Sequence, residues 1–395
     1  KWAVNTSFLP EHTFVGLGAG AGGDVFMTFR PQVMNDNHTP GISVFDKFGV
    51  RREAYYLTSE RNSVSSPAIT SGGEVFVATS EGGIYHVDTV AKSTVKIYQA
   101  PGGEGFDGDF KVDEEDRLYA CTTTTLYCLQ TDGTLKWTYS LSGGRIFYRQ
   151  RLAIDSGKGS VYIGYYDGSA KTGHLAAISR ATGQLKYQKT LATDATYGSW
   201  VNGIPSVADD GTVYVVGATT LYALTPQTSS FATRWQKDGR YYAMSVVPAV
   251  GPDGTVYMPY WTESGWRYLA HDAANGSSHW EISFSTGDYD NPLQPYVGGN
   301  GVLLCGMRRA NRGADSFELY AYKDNGASAS LLWQKDWGTV SGAGLAFGAG
   351  ETLYVLPGSQ GSKVFALSEG TVGDPEGGGV GYSGHPDSFA EFNDQ

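Results

Sequence analysis

The sequence predicts an all-β chain folded as a single eight-bladed β-propeller, four antiparallel strands to a blade, and three observations predict it. One pattern recurs along the 395 residues: a short apolar run, a Gly-containing turn, a V/L-Y/F-V run, a second turn, then L-Y-A-L. The second runs begin at Val25, Val75, Leu118, Val161, Val213, Val256, Leu303 and Leu353, spaced 43 to 52 residues apart, which is the length of a four-stranded blade. Glycine, 54 residues in all, is spread along the chain, as many tight turns between short strands require, and no segment holds a helical period over three turns. Seven blades is the alternative count.

Each element follows from its residues. Alternating β-branched and aromatic residues bounded by Gly/Asp turns read as strands buried on both faces between neighbouring blades. The fifth unit shows all parts: Ile204-Pro205-Ser206-Val207, the Asp210-Gly211 turn, Val213-Tyr214-Val215, then Leu221-Tyr222-Ala223-Leu224. The sixth repeats it with Pro248-Ala249-Val250, Asp253-Gly254 and Val256-Tyr257-Met258. Fourth strands carry a closing aromatic at Tyr98, Trp137, Tyr187, Trp235, Trp280 and Trp333. The eighth unit, ending near Leu367, has no such strand after it, and Trp2 in Lys1-Trp2-Ala3-Val4 fits the missing position. The N-terminal strand is therefore expected to complete the last blade and close the ring, removing open edges. Residues 1–369 form the expected propeller, and 370–395 a Gly/Asp-rich tail.

Composition narrows the function. A formal charge of −11 with no dense basic face excludes a sequence-independent nucleic-acid binder. No run of 18 apolar residues exists to span a membrane as a helix. The expected setting is extracellular or periplasmic, with any leader already removed, and the expected state a monomer. Cys121, Cys128 and Cys305 make an odd count, against a disulfide framework; Cys121 and Cys128 could face each other across a hairpin, or be two small buried hydrophobes. There is no CxxC, HExxH or P-loop spacing, so no cofactor is expected, with room left for a structural calcium. The acidic turn Asp113-Glu114-Glu115-Asp116 stands where other units place their Asp-Gly turn and reads as a turn.

Functional candidates come from where the repeats disagree. The third strand places a small residue inside L-Y-A-L, at Cys128, Ala223, Ala321 and Ala366, whereas Ile84-Tyr85-His86-Val87 puts His86 there. That imidazole is either satisfied by a neighbour or has a role. His271, one residue beyond the slot, is expected at the surface, and His12, His38, His174, His279 and His385 are read as structural. The innermost strands should line a channel with Asp107, Asp109, Arg149, Arg151, Asn202 and Gln294, and the loops before them carry Trp200, Arg240, Tyr241, Tyr242, Asp290 and Asn291. Aromatic faces stack on sugar rings while amides and guanidinium forks bind hydroxyls and carboxylates, so Trp200, Asn202, Arg240, Tyr242, Asn291 and Gln294 are candidate ligands for a polysaccharide or oligosaccharide. A solvated channel stapled by Arg149/Arg151 to Asp107/Asp109 is the alternative.

The L-Y-A-L and A-x-D-G-T-V-Y-V signatures resemble the quinoprotein-type (PQQ-like) propeller repeat over nearly the whole chain. The repeat is specific for fold and hosts dehydrogenases, scaffolds and lyases alike. Propeller lyases of the ulvan, rhamnose–glucuronate and oligogalacturonate types have a similar layout. That resemblance implies β-elimination on a uronic-acid glycan, with His86 and Tyr148 as base and acid and Arg149 or Arg151 neutralising the carboxylate. The sequence departs from them at Ser66, where several pair the histidine with a second one. The other reading is a non-catalytic scaffold or a carbohydrate- or protein-binding module, similar in size to the eight-bladed outer-membrane assembly lipoproteins. A quinone-dependent dehydrogenase would carry a vicinal Cys-Cys, which this chain lacks.

Overall fold

The computed structural model describes residues 2–5, 12–20, 22–31, 39–60, 63–106, 110–141, 145–146, 152–155, 157–193, 204–239, 241, 247–284, 291–311, 314–339, 343–348, 352–357 and 363–367. The chain divides into two compact units, one holding residues 1–138 with the strands after 340, the other holding residues 139–339. Among the described residues the strands form eight antiparallel sheets, six of four strands and two in which the inner strand is broken in two.

In the first unit, one sheet is built from His12–Ala19, Val25–Pro31, Gly41–Phe45 and Arg51–Tyr56, and the next from Ala68–Ile69, Val75–Ala78, Gly83–Asp88 and Ser93–Gln99. A third uses Phe110–Val112, Leu118–Cys121, Thr125–Leu129 and Leu135–Ser140. The last takes Ala343–Gly348, Thr352–Pro357 and Lys363–Leu367 and is completed by Trp2–Asn5. In that last sheet Trp2 pairs with Ala366, the register that Trp235 holds with Ala223, Trp280 with Ala270 and Trp333 with Ala321. The N-terminal strand thus fills the fourth position that its tryptophan predicts. Adjacent sheets bury apolar faces on each other: Ile42, Val44 and Tyr55 against Val75, Val77 and Tyr85, and Phe76, Ala78 and Ile84 against Phe110, Leu118 and Tyr127.

The second unit repeats this. Its sheets run through Ser160–Asp167, Val213–Gly217, Val256–Thr262 and Val302–Asn311 as second strands, with inner strands as short as Ser206–Val207 and Ala249–Val250. Tyr162, Leu175 and Tyr187 pack on Val213, Val215 and Phe231, and Tyr214, Val216 and Trp235 on Val256, Met258 and Leu269. The Asp-Gly turns are hairpin turns as expected. Gly211 and Gly254 take φ of +79° and +86°, where a β-carbon would be strained, and Asp210 and Asp253 accept the N–H of Thr212 and Thr255.

Polar groups tie turns to strands. Tyr119 and Arg117 both donate to Asp113 Oδ2 at 2.8 Å, so the acidic turn is closed by its own strand. Tyr162 donates to Asp155 at 3.0 Å in the same way. Cys121 stands opposite Leu126 and Cys128 opposite Tyr119, so the two thiols do not face each other; all three cysteines are buried thiols outside any disulfide.

His271 corrects the sequence expectation. It is 1% exposed, not at the surface, because the turn after its strand and Tyr241 cover it. Its Nδ1 lies 3.2 Å from the carbonyl of Gly276 and its Nε2 3.2 Å from the hydroxyl of Tyr241, a pattern satisfied by a neutral ring with its proton on Nδ1. Burial pushes its pKa down to about 4 from 6.5. The folded state therefore binds its proton later than the unfolded one, and the stability this contributes is present above pH 6.5 and lost as pH falls towards 4. The expected loss is about 3 kcal/mol across that window. Replacing His271 by Phe should flatten the corresponding part of a Tm-against-pH curve.

Candidate functional site

His86 lies on the third strand of its sheet, opposite Phe76 on the second and Val95 on the fourth, and Val75–Ala78 stands between it and the inner strand Ala68–Ile69. Its ring stacks on Phe76, centroids 4.9 Å apart at 24°, and Nε2 stands 3.8 Å from Glu74 Oε1. The side chain is 26% exposed.

The register explains the break in the repeat. In five of the seven other sheets the small third-strand residue faces a second-strand tyrosine: Cys128 faces Tyr119, Ala177 Tyr162, Ala223 Tyr214, Ala270 Tyr257 and Ala366 Tyr354, whereas Val44 faces Phe26 and Ala321 faces Leu304. Tyr119 and Tyr162 spend their hydroxyls on an aspartate of the preceding turn. In the His86 sheet the second-strand residue is Phe76, without a hydroxyl, and the third-strand residue is His86. The pair Tyr/Ala has become Phe/His, and the polar tip that addresses the turn, here Glu74, has moved from the second strand to the third. His86 thus stands over Phe76 with its ring turned towards the Glu74 turn.

Tyr148, Arg149, Arg151, Trp200, Asn202, Arg240 and Tyr242 lie outside the described residues, as do Asp107, Asp109 and Asp290. Asn291 belongs to the short strand Asn291–Pro292 at the inner edge of its sheet, opposite Arg308, and Gln294 follows between that strand and Tyr296–Val297. Both are half-buried. Tyr241 is a core residue, edge-on to Tyr260 at 5.1 Å. His174 is held between Thr172 and Thr190 and stacks on Tyr165. Among the described residues no cluster of three His, Cys, Asp or Glu could hold a metal ion.

Sequence reading passed over a different feature of the first unit. Phe48 is 70% exposed, Val50 60% and Val90 92%, each in the turn between third and fourth strands of adjacent sheets. These turns are preformed. Asp46 Oδ1 accepts the N–H of Phe48 and Val50, both at 2.9 Å, and Gly49 takes φ +82°. Asp88 Oδ1 accepts the N–H of Val90 at 2.9 Å and of Ala91 at 2.8 Å. The backbone hydrogen bonds hold both carboxyls below the usual carboxylate range, Asp46 chiefly through Val50 and Asp88 chiefly through Ala91. Lys92 binds Glu53 at 2.9 Å and the Tyr55 hydroxyl reaches the carbonyl of Thr89 at 3.5 Å, so one turn lies against the strand that leaves the other. The signal was an apolar residue in a turn opened by an aspartate, Asp46-Lys47-Phe48-Gly49-Val50 and Asp88-Thr89-Val90-Ala91, where a strand has no use for one.

No protein-family model and no curated protein matches the chain. Solved structures do. BamB from Moraxella catarrhalis is 13% identical with a TM-score of 0.61, over 95% of this chain and 100% of that one. The Myceliophteria thermophila Cps50 (Swd1) β-propeller domain is 8% identical with a TM-score of 0.52, over 90% and 100%. Virginiamycin B lyase from Staphylococcus aureus is 12% identical with a TM-score of 0.51, over 77% and 94%. At these identities the likeness is one of fold: the chain has a β-propeller fold.

Proposed function

We propose that the chain is a non-catalytic propeller module that binds through its turns: eight blades in a ring that the strand Trp2–Asn5 closes. The observation that carries the reading is the pair of preformed turns holding Phe48, Val50 and Val90 out to solvent. Exposed apolar side chains on ordered backbone mark a contact surface, since little conformational freedom is lost when they are covered. The lyase expectation needs His86 free to take a proton beside Tyr148 and an arginine. His86 is already accounted for by Phe76 and Glu74.

The two readings separate in one assay. β-Elimination leaves an unsaturated uronate that absorbs in the ultraviolet. With a panel of uronate polymers the chain should give no absorbance, and a signal that His86→Ala lowers by about two to four orders of magnitude would establish the lyase instead. The Phe/His exchange predicts a coupling of its own. His86→Ala should cost about 1 kcal/mol, and adding Phe76→Tyr should recover most of it by restoring the pair of a tyrosine and a small residue that five other sheets use, read as a double-mutant cycle in urea.

A further inference from the structure

We infer that Asn300 is a modification site, where spontaneous deamidation through the adjoining Gly301 turns the side-chain amide into a carboxylate. Asn300-Gly301 closes the turn between Tyr296–Val297 and Val302–Asn311. It stands three residues before Leu303, as Asp210-Gly211 stands before Val213 and Asp253-Gly254 before Val256. The three turns share one geometry. Gly301 takes φ +72°, beside +79° and +86° at Gly211 and Gly254. Asn300 Oδ1 accepts the Val302 N–H at 3.0 Å, as Asp210 and Asp253 accept those of Thr212 and Thr255 at 2.9 and 3.0 Å. This sheet thus carries an amide where two others carry a carboxylate.

In the first step the Gly301 nitrogen attacks Asn300 Cγ. The new C–N bond forms as the bond to the side-chain nitrogen breaks, and the Gly301 proton leaves with that nitrogen as ammonia. Water then opens the cyclic imide, at Cγ to give aspartate or at the main-chain carbonyl to give isoaspartate. Two contacts favour the attack. Lys323 Nζ donates to the main-chain carbonyl of Asn300 and lies 3.7 Å from where a β-carbon on Gly301 would stand. A positive charge there stabilises the negative charge that the peptide gathers as the Gly301 N–H is given up. The Val302 N–H on Oδ1 stabilises the oxyanion that forms when Cγ is attacked. The bond from the Gly301 N–H to the Gly298 carbonyl, 2.9 Å, is the contact that opens first. Asn300 and Gly301 are both half-buried, so water reaches them. Asn275-Gly276 and Asn325-Gly326 are the same pair in worse surroundings. Gly276 is buried with a β-carbon position only 2.7 Å from the Trp235 ring, and its N–H is bound to the Asp272 carbonyl at 2.8 Å. The Gly326 N–H donates to the Asp324 carboxylate at 2.7 Å, whose charge opposes loss of the proton.

The test is to hold the full native chain at mildly alkaline pH and follow its peptides by mass spectrometry after digestion. The Asn300 peptide should gain about one dalton. It should do so about fivefold faster than the Asn275 and Asn325 peptides, the factor that a unit charge a few ångströms away supplies in a water-like dielectric. In the chain unfolded by guanidinium, where these contacts are gone, the three peptides should react at similar rates. Lys323→Gln should slow Asn300 about fivefold and leave the other two unchanged. Asn300→Asp should keep the wild-type Tm, because the same turn holds aspartate in two other sheets. An Asn300 peptide that reacts no faster than the other two in the native chain overturns the proposal. So does a Lys323→Gln variant with the wild-type Tm in which Asn300 reacts at the wild-type rate. Where that variant fails to fold, the order of the three sites in the native wild type decides alone.

Discussion

Asp324→Ala should destabilise the chain by about 3 kcal/mol or more, seen as a fall in the urea midpoint followed by tryptophan fluorescence. Asp324 ends the third strand of its sheet, Ala314–Asp324, and accepts from three donors: the Tyr257 hydroxyl at 2.5 Å, the Trp280 indole N–H at 2.9 Å and the Gly326 N–H at 2.7 Å. Tyr257 and Trp280 belong to the neighbouring sheet, 1% and 8% exposed, so truncation leaves both buried donors without their acceptor. Burial and the bond to Asp324 raise the Tyr257 phenol, which therefore stays protonated and needs the acceptor at every working pH. Asp324→Asn keeps one acceptor oxygen and should cost about half as much. One sheet earlier the Trp235 indole donates to the main-chain carbonyl of Ala273 at 2.8 Å. No side-chain substitution removes that bond, so truncating Asp272 in the same turn should cost clearly less than truncating Asp324. Equal losses would mean that the aromatic-to-turn bond is not what Asp324 contributes.

The sheets were legible in the sequence because their strands are buried on both sides. A strand between two neighbours needs V/L-Y/F-V whatever its position in the chain, so the repeat and the strand coincide: Val75–Ala78, Leu118–Cys121, Val213–Gly217 and Val256–Thr262 start where the second runs start. Trp2 was legible for a related reason, as the fourth-strand aromatic that the last unit lacks. What could not be read was anything set by register. That His86 stacks on Phe76 is visible only when the two are seen to stand opposite each other, because Phe76 alone fits its slot and His86 alone is merely an odd residue in its own. His271 failed for a tertiary reason. Its place at the end of a strand resembles a surface position, and only the return of the chain through Tyr241 covers it. Phe48, Val50 and Val90 were hidden by their own type, since an apolar residue beside a strand is expected to belong to the core, and only the backbone bonds of Asp46 and Asp88 reveal that they point away from it.

The second large effect is expected at Glu60, 1% exposed, where the chain leaves the fourth strand of the first sheet. Its carboxylate receives Lys96 Nζ at 2.8 Å, the Tyr85 hydroxyl at 2.5 Å and the Thr79 hydroxyl at 3.1 Å, all from the next sheet. Burial alone would raise its pKa, but the hydrogen bonds from Lys96 and Tyr85 outweigh that and hold it below 4.5. A carboxyl depressed in the folded state contributes stability that is complete above its unfolded value and is lost as pH falls through its folded one. Lys96 answers in kind: burial works against its charge, the Glu60 bond more than restores it, and its pKa rises. Glu60→Gln should therefore cost about 2 kcal/mol near neutral pH, by leaving Lys96 beside a neutral amide, with the loss limited because the Lys96 side chain is 32% exposed and can turn to water. Below the glutamate range the wild type protonates and loses the same interaction, so the two proteins should converge as pH falls from about 4.5. Urea midpoints at neutral and acidic pH decide it. A gap that stays constant would mean that Glu60 acts by its shape and hydrogen bonds alone, and that its charge is not what joins the two sheets.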